Sequence, residues 1–183
     1  AYSREHPKFF TFDTPAALPK ALVWQDGHDV PTFASSEAVR GGTLRGAIDD
    51  FPRTLRFYGP DANGSFRPYI LDDVALTLIQ EQPNTGQYYP ALAKEWAYGK
   101  DGRTMYFRLD PDARYSDGVP VTADDFFFAF FFFTSKYLND PWSANYYSTN
   151  FTNITKYDKY PISATWREPQ PDLRSPADID PTD

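Results

Sequence analysis

A chain of 183 residues, 41% of them hydrophobic, is long enough for one domain with a real core. Its formal net charge of -7 and its lack of any basic run argue against nucleic acid as a partner, because phosphate binding needs a basic surface. Cysteine is absent, which excludes disulfides, thiolate metal sites and a cysteine nucleophile.

The first 40 residues read as an extended arm. Pro7, Pro15, Pro19 and Pro31 break any helix or central strand, yet Phe9, Phe10, Phe12, Leu18, Leu22, Val23 and Trp24 carry too much apolar surface for easy disorder. The arm is therefore expected to lie on a domain, with a disordered leader as the alternative. Its opening, Ala1-Tyr2-Ser3-Arg4, has no apolar signal region, which suits a processed start or a cytoplasmic protein alike.

Gly41-Gly42 followed by Thr43 to Ile48 predicts a turn and a short strand, and Asp49 to Gly64 a loop. From Phe66 to Gln80 the spacing of Ile70, Val74 and Leu78 predicts a helix. Trp96 and Tyr98 alternate before Lys100-Asp101-Gly102, and Met105, Phe107 and Leu109 alternate after it, which predicts a β-hairpin. Thr122 is a natural N-cap. Asp125 stands three residues on, in the place of the usual Glu of a capping box, so a helix should begin there.

The apolar run Phe126 to Phe133 follows. It is far shorter than the ~20 residues a bilayer span needs, so no membrane-spanning helix is expected. Its phenylalanines cover more than one face, which predicts a helix buried on most sides. Ile154 to Tyr157 and Ile162 to Trp166 read as two strands joined at Asp158-Lys159, and Glu168 to Asp183 as a frayed, acidic, Pro-rich end.

Catalytic chemistry finds little support. Asp49-Asp50 and Asp72-Asp73 are carboxylate pairs, but neighbours on a strand point to opposite faces, and solvated loop charges explain them better. His6 and His28 lie in the arm with no metal-ligand pattern nearby, and no Gly-x-Ser-x-Gly elbow exists. Neither an enzyme nor a cofactor is implied. Asn63, Ser65 and Phe66 stand at the start of the helix predicted up to Gln80, where free backbone N–H groups would hold a carboxylate.

Four segments carry a resemblance. They are Gly41-Gly42-Thr43-Leu44-Arg45; Pro90-Ala91-Leu92-Ala93-Lys94-Glu95-Trp96; Asp101-Gly102-Arg103-Thr104-Met105-Tyr106-Phe107-Arg108-Leu109; and Arg114 through Asp125. In this order and spacing the chain resembles solute-binding protein family 5, the dipeptide and oligopeptide binders. It looks most like the long-armed subgroup that includes microcin C and small-peptide binders. Tyr115 stands where Trp is common, and the Phe-rich helix is more aromatic than usual.

The resemblance implies an α/β fold: the mixed-sheet lobe of a two-lobed periplasmic-binding-protein fold (type II, cluster C-like), here incomplete. It divides the chain into the arm 1–40, a first-lobe portion 41–172, and 173–183 as a frayed end or the start of a missing second lobe. The chain is then expected to be a fragment, a partial sequence or a truncated homologue. The implied function is capture of a peptide or peptide-like solute outside the cytoplasm, after signal-peptide removal, and delivery to a membrane ABC permease. An oligosaccharide ligand and a protein-interaction module using the aromatic surface are the rival readings.

By resemblance, Asp49, Asp50 and Phe51 face the ligand. Trp142, Tyr146 and Tyr147 lie where the family tends to place a ligand-contacting Tyr, with site and core left open for the two tyrosines. Trp142, Tyr146, Tyr147, Phe51 and Phe66 are expected on one side of the chain, only partly covered. The sequons at Asn63, Asn150 and Asn153 are accidental if the source is bacterial.

Overall fold

The alternation on either side of Lys100-Asp101-Gly102 becomes the centre of a six-stranded sheet in the computed structural model, which describes residues 2–169 apart from 40, 44, 49, 73 and 139. The predicted frayed end from 173 onward, Asp49 and the Asp73 half of the second carboxylate pair therefore lie outside the described residues. Strands β5 (Ala93–Tyr98) and β6 (Thr104–Leu109) pair antiparallel, with Trp96 opposite Phe107 and Tyr98 opposite Met105. Their turn is organised by Asp101. Its carboxylate accepts hydrogen bonds from the Arg103 and Thr104 N–H groups at 3.1 and 3.0 Å and from the Thr104 hydroxyl at 2.7 Å. Gly102 sits at φ 65°, a left-handed conformation that favours glycine.

β8 (Pro161–Trp166) continues the sheet beside β6, and β7 (Phe151–Lys156) pairs antiparallel with β8, as the sequence predicts. The arm completes both edges. β1 (Phe10–Phe12) runs parallel to β7, and β2 (Trp24–Gln25) pairs with β5, giving the order β1-β7-β8-β6-β5-β2. A second ladder joins β3 (Ile79–Glu81) to β4 (Tyr88–Pro90).

The arm's attachment has a chemical basis at each edge. Phe9 is buried, its ring edge-on to Tyr2 in the short helix α1 (Tyr2–Glu5), and the Asn153 amide donates to the Lys8 carbonyl at 2.7 Å. At the other edge the Arg108 guanidinium lies 3.9 Å over the Trp24 ring and 2.6 Å from the Glu95 carboxylate. From 31 to 43 the described residues are exposed.

One face of the sheet presents Met105, Phe107, Leu109, Ile162 and Ala164 to helix α2 (Ala123–Phe133). That helix begins where Thr122 predicts it: the Asp125 carboxylate accepts from the Thr122 N–H at 2.6 Å and from its hydroxyl at 2.9 Å. Phe126, Phe127, Phe130 and Phe133 are buried, but Phe128 is 48% and Phe131 53% exposed. The expectation of burial on most sides is thus corrected. The sheet, helix α3 (Pro141–Asn150) and the Tyr58 loop cover α2 from several directions, but the described residues leave the side that carries Phe128 and Phe131 about half exposed.

Two further expectations fail for physical reasons. Gly41 to Ile48 forms no strand among its described residues. Gly41 and Gly42 adopt φ 109° and 89°, outside strand geometry, and a side chain added at either would meet nothing within 4 Å. The predicted helix over Phe66 to Gln80 reduces to one π-helical turn, Pro68–Asp72. Val74 is 63% exposed, while Leu78 and Ile79 are buried beside the sheet. Their backbone is drawn into extended pairing: the Leu92 and Ala93 N–H groups donate to the Thr77 and Leu78 carbonyls at 3.1 and 2.8 Å. Tertiary burial overrides the helical spacing.

Candidate functional site

The site is built on helix α3 (Pro141–Asn150), whose start is set by Asp140-Pro141-x-Ser143. The Asp140 carboxylate accepts from the Ser143 N–H at 3.2 Å and from its hydroxyl at 2.7 Å, and proline at the first helical position has no N–H to satisfy. Helical spacing then sorts the side chains. Ser143 and Tyr147, four apart, face inward and are buried. Trp142 and Tyr146, also four apart, form the outer pair. Their rings stack 5.3 Å apart at 7° to parallel, and Trp142 is 71% exposed.

Beside this pair lies an open depression of about 430 Å³, walled by Tyr58, Asn63, Arg67, Asp140 and Trp142. Tyr58 anchors the loop that forms its far wall, because its ring packs edge-on against Phe132 at 5.8 Å and Phe133 at 5.1 Å. The Arg67 guanidinium lies 5.9 Å from the Tyr58 ring. The hollow thus combines aromatic faces, an amide, a cation and an anion. Such a set suits a neutral or zwitterionic solute with a flat or amide-rich body, held without covalent chemistry.

The predicted site residues divide clearly. Asn63 and Trp142 meet in the depression, and Tyr146 supports Trp142 from below. Tyr147 is a core residue, stacked on Phe133 at 4.7 Å and edge-on to Phe130 at 5.1 Å. Phe51 is 91% exposed and is not among the residues walling the depression. Neither are Asp50, Ser65 and Phe66. Asp49 is outside the described residues. At Asn63, Ser65 and Phe66 the chain makes turns in which the Gly64, Arg67 and Tyr69 N–H groups donate to the Ala62, Gly64 and Phe66 carbonyls.

Sequence reasoning missed Tyr58, Arg67 and Asp140. Asp140 had a readable signal, the cap pattern ahead of α3. Tyr58 and Arg67 had none, because only the folded loop brings them to α3. Among the described residues no helix is long and apolar enough to cross a membrane, and no group of three or more His, Cys, Asp or Glu could hold a metal ion.

The fold is that of the periplasmic binding proteins. The crystal structure of OppA from Haemophilus influenzae, in complex with the peptide RPPGFSPFR, superposes with a TM-score of 0.56 at 21% identity, over 66% of this chain and 27% of that one. The sequence gives the narrower assignment. Residues 87–180 match the family model described as "Bacterial extracellular solute-binding proteins, family 5 Middle", about half of the chain, and the protein belongs to that family. A probable peptide-binding protein YejA of Agrobacterium fabrum (strain C58) is 33% identical over 139 residues, 74% of this chain and 20% of that protein. The periplasmic alpha-galactoside-binding protein of Rhizobium meliloti (strain 1021) is 30% identical over 99 residues, 51% of this chain and 14% of that protein. The chain spans a fifth or less of the length of the curated relatives it matches.

Proposed function

We propose that this protein captures a peptide or peptide-like solute outside the cytoplasm and presents it to an ABC-type permease, without enzymatic turnover. In this reading residues 41–172 are a portion of the first lobe, and the arm 1–40 is its edge support. The observation that carries the proposal is the exposed Trp142, stacked flat on Tyr146 at the rim of a hollow that also offers Asn63, Arg67 and Asp140. An indole stacked on a neighbouring ring and left uncovered marks a surface on which something docks. Membership of a family of extracellular solute-binding proteins, and a relative named as a probable peptide-binding protein, support the same reading.

The test is binding by the full chain. Native mass spectrometry of the purified protein should show a retained small solute, and peptide titration should quench tryptophan fluorescence. Replacing Trp142 with Ala should weaken binding by about tenfold, the loss of one good aromatic contact of ~1.4 kcal/mol. Unchanged affinity in that variant would remove the hollow from the site, and no binding of any peptide would remove the peptide ligand.

An oligosaccharide ligand is the second reading. It is favoured by the alpha-galactoside-binding relative and by the flat Trp142–Tyr146 stack, which suits a sugar ring equally well. Titration with an alpha-galactoside beside a peptide separates the two. Cell fractionation tests the extracytoplasmic location.

A further inference from the structure

An aromatic path leads out of the depression along α2. Tyr58, in its wall, meets Phe132 at 5.8 Å, and Phe132 stacks on Phe128 at 5.8 Å and 19° from parallel. Phe128 and Phe131 are about half exposed, on the side of the helix turned away from the sheet. A helix on a sheet ordinarily carries polar residues there. Here, after Asp124, the outward positions 128 and 131 carry phenylalanine, and the Phe128 ring continues from the candidate site through Phe132.

The size of this surface indicates what covers it. Phe128 and Phe131, with the exposed Phe12 that packs beside them on Phe127, offer roughly 350 Å² together, well below the ~800 Å² per partner that a stable protein interface buries. That area fits one or two apolar side chains of a ligand already held in the depression. Two 5.8 Å steps between rings put Phe128 at most about three residues of extended chain beyond Tyr58, at ~3.3 Å per residue.

We infer that the ligand cleft continues from the depression over Tyr58, Phe132 and Phe128, and that it selects extended peptides with a bulky aromatic or apolar side chain at most about three residues from the seated end. This rests on the peptide-binding reading. It adds a specificity-determining role for Phe128, which packs against Phe132 and is not needed to fill the core.

The experiment is isothermal titration of the full chain with short alanine- and glycine-based peptides in which one phenylalanine is moved along the sequence. One position of the phenylalanine should raise affinity by about threefold to tenfold, the range of a single aromatic pair. F128S should abolish that gain, and F128Y, which keeps the ring, should retain it; thermal melting checks that both variants fold. A gain that is independent of position, or that survives in F128S, overturns the inference while loss of binding in W142A still upholds the cleft. If no peptide binds, the peptide-binding reading and this inference fall together.

Discussion

Phe130 is the most demanding test of how α2 lies. The side chain is 1% exposed, with its ring edge-on to Tyr147 at 5.1 Å and 82° and to Phe151 at 5.1 Å and 84°. It also faces Phe9 of the arm at 6.3 Å. Truncating a buried Phe to Ala costs about 3–5 kcal/mol, from lost transfer energy and the cavity left behind. The two edge-on pairs add about 0.5–1.5 kcal/mol each beyond area, which puts this site in the upper half of that range. Small domains hold about 5–15 kcal/mol in all, so F130A should survive but be badly weakened. With a urea slope of about 2 kcal/mol/M, a 4 kcal/mol loss lowers the midpoint by about 2 M. Circular dichroism and tryptophan fluorescence should report the same transition. F131A is the internal control. At 53% exposure its loss should stay within ~1 kcal/mol. Equal midpoints for F130A and the unmodified protein, or a larger loss in F131A than in F130A, would refute the orientation of α2.

Three smaller effects follow from individual contacts. D125A removes the acceptor of both Thr122 bonds and should cost about 1 kcal/mol in urea denaturation, whereas an unchanged midpoint would deny the cap its role. Burial raises the Asp101 pKa, but the hydrogen bonds from Thr104 and Arg103 outweigh it and hold the pKa below the ordinary carboxylate range. A depressed folded-state pKa gives stability that is fully present above the unfolded value and lost as pH falls through the folded one. The unmodified protein should therefore lose stability more steeply in acid than D101N; parallel curves below about pH 4 would contradict this. R108K keeps the charge but loses the planar face over Trp24. It should cost about 0.5–1 kcal/mol and red-shift Trp24 emission, and an unaltered spectrum would mean the arm does not depend on that contact.

Local patterns were enough for the elements whose partners are close in sequence. The 96–109 hairpin, the Thr122 cap and the strand pair expected over 154–157 and 162–166 each rest on alternation or capping within about twenty residues, and each forms, the first strand of the pair starting earlier, at Phe151. Three of the four motifs fall within the residues that match the family, 87–180, and they are largely folding signatures: a turn at Asp101, a core indole at Trp96, a helix start at Thr122. Trp142 and Asn63, singled out from the sequence, both line the depression beside α3.

What the chain's order could not convey was which side of each element would find a partner. Tyr146 and Tyr147 are adjacent tyrosines of the same helix, and only the position of Phe130, Phe133 and Phe151 sends one to the rim and the other to the core. Leu78 obeys a helical spacing yet is buried beside a strand, because Leu92 and Ala93 bring backbone donors to it from across a turn. The same holds for the arm, whose three-residue strand means nothing alone and becomes a sheet edge once β7 lies parallel to it. Burial and strand pairing are long-range, so residue type and spacing determine what can form here, and the tertiary packing decides what does.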